Sequence, residues 1–208
     1  MTIALIGTNA AVFAFELSLG ERLDGFIALF GLTPAVVIKE FHRHSVIAAG
    51  IPFFTSMFLH GGWFHLIGNM LYLWVFGDNV EDSLGHVRFF LFYILCGLSA
   101  AAAQVYANPI STATMIGASG AIAGILGGYF LLYPKARIVT LIPIFILFYF
   151  FEIPAIVFLG FWFLMQFFNG TLALSNEAGN AGGVAWWAHV GGFASGMILV
   201  FPFRKANR

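Results

Sequence analysis

Four uncharged polar side chains in an otherwise apolar chain have the types and spacing for hydrolytic chemistry. They are Ser119 in Gly117-Ala118-Ser119-Gly120, His189 in Ala188-His189-Val190-Gly191-Gly192, and His65 with Asn69, which follow His60-Gly61-Gly62-Trp63-Phe64. A serine hydroxyl is a weak nucleophile until a base takes its proton, and the imidazole of His189 is the candidate base. His65 and Asn69 are four apart, so on a helix they share a face and can donate hydrogen bonds to one point. Glycines beside Ser119 let backbone approach closely, and a helix starting there offers unpaired N–H groups and a positive dipole end, both suited to an oxyanion. Each feature also has a plainer reading. Gly120, Gly124 and Gly128 form a small-residue stripe that serves helix packing without catalysis, and His189 can be a hydrogen-bonded histidine of a helix bundle. Gly192 and Gly196 lie at i+3 and i+7 from His189, so a face that carries the imidazole can also press on that stripe.

Other chemistries fit less well. His60 and His65 are five apart, a poor chelating interval, and no His-Glu-x-x-His sequence occurs, so no metal site is expected. A pair of facing intramembrane carboxylates is not expected either: Asp78, Glu81 and Asp82 cluster at one membrane edge and Glu152 stands alone. Cys96 is the single cysteine, which excludes a disulfide framework within the chain. No cofactor is implied.

The elements that must position these residues follow from composition. Of 208 residues 61% are hydrophobic and 9% charged, against about 25% charged in soluble domains. With 9 Lys+Arg balancing 9 Asp+Glu, there is no basic face for nucleic acid. At about 20 residues per crossing, the chain has room for roughly six spans. Backbone groups must be satisfied inside the bilayer, so long apolar runs are read as helices: Ile3 to Leu17, Phe64 to Phe76, Val87 to Tyr106, Ser119 to Tyr133, a tract from Ile138 to Phe168, and Ala185 to Phe203. That tract, about 46 Å as one helix, is too long for one upright span. Pro143, Glu152 and Pro154 place an interfacial part first and a span from about Ile153. The apolar pieces of the long first connection, Gly25 to Ile38 and Ser45 to Leu59, are expected to lie at the interface, and the Gly- and Asn-containing stretch from Asn169 to Val184 is expected to be a mobile external loop.

With the N-terminus inside, Arg88, Lys135, Arg137, Arg204, Lys205 and Arg208 fall on the cytoplasmic side and Arg22, Lys39 and Arg43 outside. Both termini are therefore expected to be cytoplasmic. The second, fourth and sixth spans then all run inward, and His65, Asn69, Ser119 and His189 cluster at their outer ends. The first 17 residues lack a basic leader and a cleavage site, so they read as a retained span of a single domain, residues 1–208, in a prokaryotic plasma membrane. Oligomeric state has no signal in the sequence.

These residues resemble the rhomboid intramembrane serine proteases across nearly the whole chain: His60-Gly61-Gly62-Trp63-Phe64-His65-Leu66 with Asn69, Gly117-Ala118-Ser119-Gly120, and Ala188-His189 with Gly192 and Gly196. The resemblance implies an all-α, polytopic six-helix bundle with a half-inserted first loop, transmembrane proteins as substrates and the lipid bilayer as setting. It implies a Ser119–His189 dyad without an acidic third member, and an oxyanion held by His65, Asn69 and the Ser119 N–H, with His60 in support. It further implies that the loop from Asn169 to Val184 caps the site and that the fifth span is a mobile wall. Two family features are missing: a Trp-Arg pair in the first loop, and a tyrosine four residues after the nucleophile, where Ala123 stands. The rival readings are an inactive relative that binds transmembrane helices, and a small channel or transporter with a polar path.

Overall fold

The computed structural model describes residues 1–144, 147–175 and 184–205. Among them the order of elements is α1 (Thr2–Ser18), α2 (Leu23–Phe30), α3 (Pro34–His42), α4 (Val46–Thr55), α5 (Trp63–Leu84), α6 (His86–Ala107), α7 (Ser119–Leu132), β1 (Arg137–Ile144), β2 (Leu147–Pro154), α8 (Ala155–Ser175) and α9 (Trp186–Phe203). By length and composition α6, most of α8, and α9 can each cross a membrane. Two more crossings are available if α1 with Gly20–Phe30, bent by 111°, and Val46–Phe58 with α5, bent by 80°, each count as one span. The architecture is mostly helical and polytopic, with three to five candidate spans where composition led to an expectation of six.

The short helix α7 is apolar all round, the pattern of a helix surrounded by protein, and its residues from Ala121 to Tyr129 are buried. It packs against α5, α6, α8 and α9. Leu73, Phe76 and Val80 of α5, Phe89, Phe92 and Tyr93 of α6, Ile125 and Leu126 of α7 and Val200 of α9 belong to one core. Outward faces carry exposed apolar side chains such as Phe64, Ile67, Leu71 and Ile198, a surface that requires an apolar environment.

Helices α7 and α9 approach each other closely. A Cβ built on Gly192 would stand 2.1 Å from the carbonyl oxygen of Gly120, and one on Gly196 would stand 1.9 Å from that of Gly124. The glycines expected to form a stripe meet backbone to backbone, except that Gly128 faces Phe92 and Val200 side chains instead. Elsewhere, Glu81 is buried and accepts the Thr2 N–H at 2.6 Å, with the Met1 amino group and the His86 ring also bonded to it. This carboxylate, expected at the membrane edge, joins α1 to the foot of α5.

Two expectations are corrected. The reading of every long apolar run as helix, and with it an all-α fold, fails at an antiparallel hairpin whose register runs from Arg137↔Pro154 to Ile144↔Leu147. Pro143 is disfavoured inside a helix, and β-branched and aromatic residues suit a strand. Across the hairpin the Glu152 carboxylate lies 3.8 Å from Arg137 Nε, both side chains being largely exposed. The following span starts at Ala155, close to the expected Ile153. The stretch from Asn169 onward is helical as far as Ser175, because apolar residues continue through Leu174; of the rest of the expected loop, residues 176–183 lie outside the described residues and Val184 is exposed, before α9.

Candidate active site

Ser119 is the first residue of α7, with Ala118 as the N-cap. The first helical bond runs from Ile122 N–H to Ala118 O at 3.0 Å. The N–H groups of Ser119, Gly120 and Ala121 therefore have no carbonyl within the helix to bond. The backbone reaches this start through Gly117, whose φ of +123° favours glycine and whose N–H donates to Ser56 O at 2.8 Å. Ser56 closes the first connection, so the connection helps position the segment before Ser119.

His189 lies in the first turn of α9, and its Nε2 is 2.8 Å from Ser119 Oγ. Glycine contacts between α7 and α9 bring the two helices near enough for that bond. His65 and Asn69 come from the first two turns of α5. The Gly61 N–H donates to His65 Nδ1 at 3.3 Å, so in the neutral ring the proton sits on Nε2, making that atom a donor. A Cβ on Gly117 would be 2.6 Å from His65 Nε2 and 3.5 Å from Asn69 Nδ2. Both donors thus face the backbone just before Ser119. Asn69 Nδ2 is buried and has no hydrogen-bond partner among the described residues.

His60 does not join this cluster as a donor. Its ring packs edge-on against His65, with centroids 5.2 Å apart, and its Nδ1 meets Phe58 O at 3.2 Å. The turn that carries it is held by Glu16 of α1, whose buried carboxylate accepts the His60 N–H at 3.2 and 3.3 Å.

Two hollows meet at the four residues. One, of about 210 Å³, is lined by His65, Asn69, Ser119 and His189 together with Ser56 and Gly117 among others. The other, of about 270 Å³, shares those four residues and continues along apolar side chains of α5, α7 and α8, including Phe64, Tyr72, Leu126 and Trp162. The arrangement can do acyl-transfer chemistry: a hydroxyl bonded to an imidazole, with several donors facing one point beside it.

Three residues at the site escaped sequence reasoning. Gln166 of α8 is buried, with Oε1 2.8 Å from His189 Nδ1. Trp162, one turn earlier, lies against the His189 ring at a centroid distance of 5.9 Å, on the imidazole that Ala123 is too small to cover. Glu16 holds the His60 turn. A signal existed for two of them, since Gln166 and Glu16 are polar residues within apolar runs, where such groups are costly and tend to have partners.

The Rhomboid domain family model matches residues 48–206. Rhomboid protein 1, mitochondrial, of Saccharomyces cerevisiae is 28% identical over 99% of this chain and 54% of its own length. RHOMBOID-like protein 1 of Arabidopsis thaliana is 31% identical over 78% of this chain and 36% of its own, and the rhomboid protease GluP of Bacillus subtilis is 38% identical over 46% and 18%. The chain spans about half or less of the length of these curated relatives. With the family match extending over most of its residues, this chain is an integral membrane protein belonging to the rhomboid family.

Proposed function

We propose that the protein is a serine endopeptidase that hydrolyses peptide bonds in or near the transmembrane segments of other membrane proteins. The observation that carries this reading is the 2.8 Å approach of His189 Nε2 to Ser119 Oγ, made between the starts of two helices and beside the buried Asn69 Nδ2, which has no partner among the described residues. His189 Nε2 takes the hydroxyl proton as Ser119 Oγ attacks the scissile carbonyl carbon. The carbonyl oxygen becomes an oxyanion that accepts from the Ser119 N–H, His65 Nε2 and Asn69 Nδ2. The tetrahedral species collapses, His189 passes its proton to the departing amine, and an acyl ester remains on Ser119. A water molecule, deprotonated by His189, then releases the second product.

Burial of α7 supports a site within the membrane. At 14 residues the helix is about 21 Å long, against a hydrocarbon core of about 30 Å, so its start can lie below the membrane surface at the floor of the 210 Å³ hollow, where water enters. The apolar 270 Å³ hollow between α5 and α8 suits a substrate helix, with α8 as the wall that gives way. Six crossings, by α1, α5, α6, α7, α8 and α9, with both termini cytoplasmic and the site toward the outer face, agree with the Lys and Arg bias.

Purified protein incubated with a single-span reporter and a fluorophosphonate probe tests the reading. Wild type is expected to cleave the reporter and take the label, and Ser119→Ala to do neither. Cleavage and labelling that survive unchanged in Ser119→Ala would sink it.

A further inference from the structure

The Ser119–His189 pair leaves one chemical requirement open. A neutral imidazole accepts a proton at Nε2 only if its own hydrogen is on Nδ1. In a serine–histidine–aspartate site a carboxylate enforces that tautomer and the plane of the ring. Among the described residues no carboxylate is hydrogen-bonded to His189. The partner of Nδ1 is the side chain of Gln166, with Oε1 at 2.8 Å.

Gln166 is 7% exposed and belongs to α8, not to the helices that carry Ser119 and His189. Trp162 is four residues earlier on the same face, with its ring 5.9 Å from the imidazole at an interplanar angle of 38°. One helix thus supplies both an aromatic ring beside the imidazole and an acceptor at its Nδ1. An amide oxygen suits this wall because it accepts the Nδ1 hydrogen without placing a charge in apolar surroundings. Orientation of the amide is decisive. With the NH₂ group turned toward Nδ1, the ring hydrogen moves to Nε2, and Ser119 then faces a donor where it needs an acceptor.

We propose, resting on the reading of Ser119 and His189 as nucleophile and base, that Gln166 is the positioning residue that holds His189 in its Nδ1–H tautomer, so that α8 completes the catalytic assembly. The groups form a relay of acceptors and donors: the Gln166 oxygen accepts from Nδ1, and Nε2 accepts from the Ser119 hydroxyl.

The test combines kinetics with a direct view of the ring. Gln166→Met keeps side-chain length and removes the acceptor. Its kcat on the single-span reporter is expected to fall about 10- to 100-fold, less than the ~10⁴-fold loss reported for a wrong tautomer beside a lost carboxylate, with KM within about twofold. Gln166→Glu, which keeps an oxygen at the same reach, is expected to restore most of the rate. In ¹⁵N-histidine-labelled protein in micelles, with His189 assigned by difference from His189→Gln, wild type should show a protonated Nδ1 and an unprotonated Nε2, and Gln166→Met an averaged or reversed pattern. If Gln166→Met does not fold, Gln166→Asn, one methylene short of Nδ1, takes its place. A His189 that stays Nδ1–H without the acceptor, or an unchanged kcat, overturns the proposal. Because the nitrogen signals need no turnover, an inactive wild type would refute the protease reading while the spectra still judge the Gln166 contact.

Discussion

Leu32 and Met115 exchange backbone hydrogen bonds, Leu32 N–H to Met115 O at 2.9 Å and Met115 N–H to Leu32 O at 2.7 Å. This one-residue bridge ties the long first connection to the segment that leads into Ser119. Thr33 and Thr114 hydroxyls meet beside it at 2.8 Å, and Ala35 N–H reaches Ser111 O at 3.0 Å. A first loop without the Trp-Arg pair is therefore anchored by its backbone, and the segment before Ser119 depends on it.

Gly31→Ala tests that dependence. Its Cβ would stand 2.5 Å from the Thr114 methyl and 2.6 Å from Ile27 O, pushing the bridge apart. Overpacking of this kind costs about 1 to 3 kcal/mol, so a lower thermal midpoint in detergent and slower fluorophosphonate labelling of Ser119 are expected together. Normal labelling at normal stability would show that the bridge does not govern the nucleophile's position.

Glu16→Ala should strip the His60 turn of its anchor. The buried His60 N–H loses both carboxylate oxygens, and an unsatisfied buried donor costs about 1 to 3 kcal/mol. Glu16→Gln retains an acceptor and should lose less. Thermal unfolding of the two variants beside wild type gives the order; equal stability of all three would mean the carboxylate is not what holds the turn.

Asn69→Leu separates catalysis from stability. Asn69 Nδ2 is buried without a partner among the described residues, so replacing the side chain with an apolar one of similar size takes away a cost and no bond. Turnover is expected to fall about 10² to 10³-fold, the range for a lost oxyanion donor, with KM little changed and the thermal midpoint level or higher. A loss confined to KM would remove Asn69 from the oxyanion site.

Gly196→Ala and Gly50→Ala should move stability in opposite directions. The obstacle at Gly196 is the Gly124 carbonyl, 1.9 Å from the new methyl, whereas nothing lies within 4 Å of one at Gly50. Backbone on backbone cannot yield as a side chain does, so Gly196→Ala is expected to cost 3 kcal/mol or more, on the order of severe overpacking, and to abolish activity by parting α7 from α9. Gly50→Ala, in α4, should gain about 0.4 to 1 kcal/mol through the unfolded chain. Thermal midpoints of both variants check the contrast.

Much of this architecture was legible in the chain because the bilayer narrows the choice of structure. The apolar runs Phe64 to Phe76, Val87 to Tyr106 and Ser119 to Tyr133 correspond to α5, α6 and α7, although α5 continues past its run through Asp78, Glu81 and Asp82 to Leu84. The hairpin was not legible. When both faces of a segment are apolar, periodicity cannot separate strand from helix, and only the pairing of Arg137–Ile144 with Leu147–Pro154 decides it. Gln166 was passed over for a related reason: a lone glutamine in a span announces a partner without saying which one.

The sequence by itself determined which residue types are available and on which face of its own helix each one stands. His65 and Asn69 share a face because four residues make about one turn, and Ser119 has free N–H groups beside it because a helix starts there. Helical periodicity carries no information about how far one helix is shifted or rotated against the next. That was decided by tertiary packing. The contacts of Gly192 and Gly196 with the backbone of Gly120 and Gly124 set the α7–α9 approach and place His189 Nε2 2.8 Å from Ser119 Oγ. Docking of α8 then brings Gln166 to the other nitrogen, a meeting that no spacing in the chain encodes.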